Sequence, residues 1–377
     1  LDAALSVAVA PDDTVVIGGM FNDTVDFDPG PAAATLKSVG YIDGFIAKYD
    51  PSGRHIWSGR IGSPTGRGNL GNFDAREAVQ SLVIDGSGTI YATGAINGAA
   101  SLSFPGGATP QLKSEGLQNT FVLSLSAAGA VNWGGTFAGG FVNFGTSIAI
   151  DAQAGRIVVG GCAASSKSVA GSEMVDFDPG PGTANRAGVG LGDSYLAVLG
   201  TDGTFRWAER FGSTDDDATD AVAVDAEGTI YAIGCYTKSP FDADPGRDTK
   251  LLSVRGDWDI WIASYTSQGG LRWAQGIGGT SADRAAALTV DERGVVTAVG
   301  MFGAVVDFDT GDGGAHLTSK GGTDGFLLRV AGADGRFQGV TQIGGTRDDD
   351  ASGVAAGRAG ETVVVGKVQG EVDFDPG

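Results

Sequence analysis

Val25-Asp-Phe-Asp-Pro-Gly30 returns unchanged as Val175–Gly180 and as Val372–Gly377. Looser copies are Phe241-Asp-Ala-Asp-Pro-Gly246 and Val306-Asp-Phe-Asp-Thr-Gly311. Aligning outward from this hexapeptide brings other columns into register. A glycine closes an apolar run at Gly19, Gly94, Gly161, Gly234, Gly300 and Gly366. Tryptophans stand at Trp57, Trp133, Trp207 and Trp273, with Gly339 in the fifth copy. An aromatic column runs Phe45, Phe121, Tyr195, Trp261, Phe326, and an acid or amide column runs Asp2, Glu77, Asn143, Asp217, Asp283, Asp349. A repeat of about 70 residues, held by that many independent columns, decides the fold before any single element is read.

Each unit reads as four strands. In the fourth copy, Ala221–Asp225 is a short apolar strand, and the turn Ala226-Glu-Gly228 leads to Thr229–Gly234, rich in β-branched and aromatic residues. A long loop carries the Asp-x-Asp-Pro-Gly element. Ile260–Tyr265 and Leu271–Ile277 form the third and fourth strands around Thr266-Ser-Gln-Gly269. Elsewhere that turn is Asp50-Pro-Ser-Gly53 or Thr201-Asp-Gly203, where Gly supplies positive φ and Asp bonds its own backbone. No segment keeps a 3.6-residue apolar stripe, so almost no helix is expected. Four-stranded antiparallel units repeated radially make an all-β β-propeller, each blade burying its faces on its neighbours. The expected organisation is one domain over 1–377. Its repeats fall near 1–74, 75–140, 141–214, 215–280 and 281–346, with a partial sixth at 347–377. Six first halves against five second halves predict a piece of a longer polypeptide, since a closed ring needs whole blades.

Composition narrows the function. The 377 residues include 65 glycines, far above the roughly 7% of average usage, as many tight turns require. With 45 acidic against 25 basic residues and a net charge of −20, the chain is a poor partner for a nucleic-acid backbone. No apolar run approaches the roughly 18 residues of a membrane span, and no N-terminal signal peptide is visible. Cys162 and Cys235 share an apolar column with Met20, Ala95 and Met301, which predicts buried free thiols.

The three motifs Ala221–Gly234, Asp43–Gly53 and Trp273–Gly279 together resemble the bacterial β-propeller repeat called SBBP. The resemblance runs over essentially the whole chain, and the Val-Asp-Phe-Asp-Pro-Gly insert is similar to a variant in secreted and cell-surface repeat proteins of environmental bacteria. It implies an extracytoplasmic, non-catalytic propeller, often within a large multidomain protein, and it brings no catalytic residues with it. The chain departs from the pattern at Ser103-Phe-Pro-Gly106, where the Asp pair is lost, and at Gly339. Ala10 and Gly357 also replace the turn aspartate of Asp85, Asp151, Asp225 and Asp291.

Strand order places the loops after the second strand and the connections between repeats at one rim. That rim would gather Asp26/Asp28, Asp176/Asp178, Asp242/Asp244, Asp307/Asp309 and Asp373/Asp375 with Asp215–Asp217, Asp283 and Asp348–Asp350. Residues i and i+2 of an extended chain point the same way, so each Asp-x-Asp presents two carboxylates together. Two readings follow: Ca²⁺ held by the pairs, with Asp43, Asn119, Asp193, Asp259 or Asp324 as a third ligand, or aspartates that cap their own turns. Other chemistry is thin. His55 and His316 lie in different units, so a histidine-built zinc site is disfavoured, and no G-x-S-x-G elbow occurs. Arg255-Gly-Asp257 matches the tripeptide that animal integrins read, but it falls in a degenerate repeat loop. Paired carboxylates could hydrolyse glycosides, yet they recur in nearly every unit while catalysis needs one site.

The expected function is a non-enzymatic extracellular or bacterial cell-surface module for binding, adhesion or scaffolding. Its partner would be a surface or matrix glycan or protein. The alternative is a secreted propeller enzyme, a hydrolase or lyase acting on polysaccharide. Its residues would be sought in the irregular insertions Ser63–Asn72 and Ala163–Glu173.

Overall fold

The computed structural model describes residues 2–64, 77–106, 110–165, 173–246, 248–311, 313–357, 360–372 and 374. Every regular element among them is a β-strand. The chain divides into two compact units, residues 1–187 with 197–208, and residues 188–196 with 209–377.

In the first unit, one antiparallel sheet takes Ala3–Val9, Val15–Phe21, Asp43–Tyr49 and His55–Gly62 in chain order. A second takes Ala78–Ile84, Ile90–Ile96, Asn119–Leu125 and Val131–Thr136. A third sheet, through which the division runs, takes Val142–Asp151, Arg156–Ala164, Gly192–Gly200 and Phe205–Phe211. The second unit holds Asp217–Val224, Ile230–Thr237, Trp258–Tyr265 and Leu271–Ile277, then Arg284–Val290, Val295–Asp307, His316–Ala331 and Phe337–Ile343. Asp350–Ala356 and Thr362–Lys367 form a two-stranded hairpin. Five four-stranded repeats and half of a sixth were expected; four sheets hold four strands each, and the first holds six, because Ala99–Ser103 and Leu112–Lys113 of the next repeat add to its edge.

The glycine column has a reason the sequence did not disclose. All six first strands bulge at one place, between Ala4 and Ser6, Val79 and Ser81, Gly145 and Ser147, Thr219 and Ala221, Ala285 and Ala287, and Ala351 and Gly353. The extra residue re-aims the strand and turns a carbonyl onto its neighbour. A Cβ on Gly19, Gly94, Gly234, Gly300 or Gly366 would lie 1.9–2.1 Å from the carbonyl oxygen of Ala3, Ala78, Ala218, Arg284 or Asp350. Only glycine fits beneath that oxygen.

Above the bulge the faces are apolar. Phe121, Tyr195 and Trp261 of the aromatic column are fully buried, and Phe326 nearly so. Trp261 stacks on Phe241 at 5.1 Å, meets Phe211 edge-on at 5.7 Å, and donates its Nε1–H to Ala218 O. Cys162 and Cys235 are both buried and in no disulfide, and the Cys235 thiol donates to Asp220 at 3.0 Å.

Candidate functional site

The Asp-x-Asp loops fold as small hairpins of their own. Thr24–Asp26 pairs with Thr35–Lys37, Met174–Asp176 with Asn185–Ala187, and Phe241–Asp242 with Leu251–Leu252. Their carboxylates bond the same backbone groups each time. Asp26 Oδ1 accepts the N–H of Asp28 (3.1 Å) and of Ala34 (2.8 Å), and Asp28 Oδ1 accepts that of Gly30 (2.7 Å). Asp176 and Asp178, Asp242 and Asp244, and Asp307 and Asp309 repeat the pattern. The Ala34 and Asp28 amides hold the Asp26 carboxyl below the ordinary range. Asp373 and Asp375 lie outside the described residues.

Each loop starts beside the connection that precedes its repeat: Asp176 pairs with Ala138, and the Asp242 N–H donates to Gly212 O (3.1 Å). Tyr49 at the end of its strand donates to Phe27 O, and Tyr265 likewise to Ala243 O, both at 2.9 Å. Asp26, Phe27 and Pro29 line one cleft with Tyr49 and Gly53 of the next turn. Asp43 opens the strand that Tyr49 closes, about 20 Å earlier along that strand at 3.3 Å per residue. The base of each loop thus adjoins the connections between repeats, as the strand order suggested, while its tip doubles back along its own sheet. Asp43, Asn119, Asp193, Asp259 and Asp324 are not placed to be third ligands of these pairs. Among the described residues no group of three His, Cys, Asp or Glu side chains is arranged to hold a metal.

The other two acid columns meet each other instead. Asp43, Asn119, Asp193, Asp259 and Asp324 are fully buried and clamp the loop before their strand. Asp43 accepts from the N–H groups of Val39 and Gly40, Asp193 from Val189 and Gly190, Asp259 from Arg255 and Gly256, and Asp324 from Lys320 and Gly321. Beside each stands the acid that opens the following repeat. The two are brought together by backbone bonds such as Asn143 N–H to Gln118 O (2.9 Å), Asp283 N–H to Trp258 O (2.8 Å) and Asp349 N–H to Thr323 O (2.8 Å).

Two buried carboxylates at one junction disfavour ionisation. Burial first, and Asp43 second among the groups that raise it, push Glu77 up to about 8. Asp217, buried beside Asp193, is pushed up to about 7, and Asp283, buried beside Asp259, to about 6. A third group eases some junctions: Arg60 approaches Asp43 at 3.5 Å, Arg210 pairs with Asp193, and Gln342 donates to Asp324. In the fourth repeat Gly276 takes that column, and Asp259 Oδ1 is left without a hydrogen-bond partner.

One junction uses no carboxylate. Asn119 and Asn143 both donate to Gly139 O, at 2.8 and 2.7 Å, while Asn143 Oδ1 accepts the Thr120 N–H at 2.7 Å. Both partners are amides there, so the two columns covary within this single chain. That pairing was the sequence signal available and unread.

The tryptophan column clasps the next repeat. Trp57 donates to Ala127 O (3.2 Å), Trp133 to Thr201 O (2.9 Å) and Trp273 to Gly332 O (2.9 Å), each in the turn between third and fourth strands. Gly129, Gly203 and Gly335 of those turns have φ near +80°, and a Cβ there would press on the indole. Of the insertions, residues 65–72 and 166–172 lie outside the described residues.

No protein-family model matches the chain. It is 23% identical over 379 aligned residues to the uncharacterized WD repeat-containing protein L264 of Acanthamoeba polyphaga mimivirus, covering 84% of this chain and 26% of that protein. It is 26% identical over 155 residues to the regulatory protein FlaEY of Caulobacter vibrioides, covering 40% of this chain and 16% of that one. The chain thus spans only a fraction of either relative. Among solved structures it is similar to the WD40 domain of Neurospora crassa Pan2, with TM-score 0.40, 7% identity, and 97% of this chain and 89% of that one covered. It is also similar to a quinohemoprotein alcohol dehydrogenase from Comamonas testosteroni, with TM-score 0.40, 11% identity, and 93% and 54% covered.

Proposed function

We propose that this chain is a non-catalytic binding or scaffold module of the β-propeller class, displayed outside the cytoplasm or on a bacterial cell surface. One observation carries the reading: the acids and amides that recur from repeat to repeat are bonded to the backbone of their own or the adjoining repeat. Chemistry repeated in this way serves assembly, and a repeat fold so built presents its loops to partners. The WD-repeat relative and the SBBP resemblance support radial closure of the sheets, which small-angle scattering of the chain tests. A ring gives a compact particle with a single near-symmetric peak in the pair-distance distribution, and an extended array, with a long tail at large distances, overturns closure.

The partner class is a surface or matrix glycan or protein, and the module reading is tested on a panel of polysaccharides. Retention without product formation is the expected result. Turnover abolished by replacing residues 63–72 or 163–173 would establish the hydrolase or lyase reading instead. Calcium at the Asp-x-Asp loops is tested by melting with Ca²⁺ and with EDTA. A bound ion raises the melting temperature by mass action, and Asp176→Asn with Asp178→Asn removes part of that rise. The second repeat, which lacks the pair, is the built-in control. Superimposed curves would leave turn capping as the whole role of these aspartates.

A further inference from the structure

The fourth repeat departs from its siblings in charge. Its small hairpin and its fourth strand line a groove of about 570 Å³ with Lys250, Leu251, Ser253, Arg255, Arg272 and Trp273. Shared hydrogen bonds identify the equivalent positions elsewhere. Lys250 donates its N–H to the first aspartate of its loop, as Ala34, Ala184 and Ala315 do in theirs. Arg255 donates its N–H to the acid or amide opening the third strand, as Val39, Glu115, Val189 and Lys320 do. Arg272 precedes the column tryptophan, where other repeats carry Ile56, Asn132 and Arg206, with Gln338 before Gly339. Only this repeat has a cation at all three places.

All three side chains are exposed, and none lies within 4.0 Å of a carboxylate oxygen among the described residues. Asp334 is the single carboxylate on the lining. The guanidiniums are held rather than free: Arg255 donates to Gly276 O (2.7 Å), and Arg272 to Ser264 Oγ (3.1 Å). Each keeps further donors for a ligand. In a chain of net charge −20, three exposed cations with no carboxylate within 4.0 Å among the described residues, gathered around one groove, point to an anionic ligand.

We propose that this groove binds an acidic saccharide, a uronic-acid-bearing segment whose carboxylates meet Lys250, Arg255 and Arg272. Its ring faces rest on half-buried Trp273 and on Leu251, which is 60% exposed. A peptide adding a strand is the poorer fit. The edge carbonyl of Gly276 already accepts Arg255, and the Gln275 amide already reaches Gly335 O at 2.8 Å. The assignment rests on the binding-module reading and gives it one ligand class and one site.

The test is calorimetric titration of the intact chain at low salt with oligogalacturonate, its neutral methyl ester, and poly-L-glutamate. Oligogalacturonate binds, its ester binds far more weakly, and polyglutamate is the weaker polyanion. Lys250→Ala, Arg255→Val and Arg272→Ile install residues that sibling repeats already carry, so melting temperature holds while each change weakens binding by about three- to tenfold. The combined variant removes binding. Ester binding equal to that of the acid, an unaffected combined variant, or tighter binding of polyglutamate would each overturn the proposal. Release of shorter saccharides would overturn the module reading while leaving the site in place, so the two failures are distinguishable.

Discussion

The junction built on Asn119 and Asn143 and the one built on Asp259 and Asp283 do the same mechanical job with opposite electrostatics. At the amide junction every bond is neutral, and one carbonyl, Gly139 O, accepts from both side chains. At the carboxylate junction Asp283 accepts from Gly279 N–H (2.7 Å) and Gly303 N–H (2.9 Å), so two backbone donors are satisfied by one side chain. Its cost is a buried charge beside another carboxylate, which raises the Asp283 pKa to about 6. Amides avoid that charge but satisfy fewer donors; acids satisfy more donors and become sensitive to pH.

The core beneath the two junctions is alike, since Phe121 and Trp261 hold equivalent, fully buried places. Replacing either by Ala costs about 3–5 kcal/mol in urea unfolding, as for other large core truncations. A loss under about 1 kcal/mol at either place would mean unequal cores and break the comparison.

Asn143→Asp carries carboxylate chemistry into the amide junction. The donor to Gly139 O is lost and an oxygen faces an oxygen, so stability at pH 8 falls by about 3 kcal/mol. The loss shrinks at pH 5, where the new carboxyl is protonated. Equal losses at both pH values would show that charge is not what separates the two junctions.

Asp283→Asn makes the reverse change. One backbone N–H then faces an amide nitrogen, and the expected loss at pH 5.5 is about 2 kcal/mol. A neutral result there would mean that hydrogen-bond count does not favour the carboxylate.

Asp217→Asn sharpens the contrast. Asp217 accepts the N–H and the Oγ–H of the single residue Ser213, and an amide can match that hydroxyl in either role. The variant should gain about 1 kcal/mol at pH 8. The sign follows from linkage. Folding raises Asp217 from 3.8 to about 7, Asp283 from 3.8 to about 6 and Glu77 from 4.5 to about 8. At these three groups the folded chain therefore binds more protons than the unfolded chain between about pH 4 and pH 8. Stability from these groups is full below the unfolded values and drains away as pH rises through the folded ones. The wild-type decline from pH 5 to pH 8 should be shallower in Asp217→Asn, and an unchanged slope would assign it to other groups.

Much of the architecture was legible because a repeat prints each structural demand several times. Strand order, the turn glycines and the aromatic column all surfaced as aligned columns, each tied to a local rule of φ, alternation or burial. The candidate site was legible only in its residue types. Both acid columns could be seen, but loops that turn back on themselves carry the Asp-x-Asp pairs away from Asp43 and its counterparts. That path depends on hairpin pairing such as Thr24–Asp26 with Thr35–Lys37, which the spacing of the residues leaves open. The matched amides Asn119 and Asn143 were visible too, but a covariation becomes a contact only when two repeats are brought side by side.

By itself the sequence determined an all-β chain of four-stranded units, because alternation, β-branching and turn residues act within a few positions of one another. It also determined where the chemistry recurs and where it is absent. Only the tertiary structure decided why Gly19, Gly94, Gly234, Gly300 and Gly366 admit no side chain, since the carbonyl above each belongs to the residue just before a bulge on the partner strand. It likewise decided which carboxylates share a buried junction, and that Lys250, Arg255 and Arg272 line one groove. Burial and proximity are properties of strands paired across many residues, and a carboxylate's charge state follows from them rather than from its neighbours in the chain.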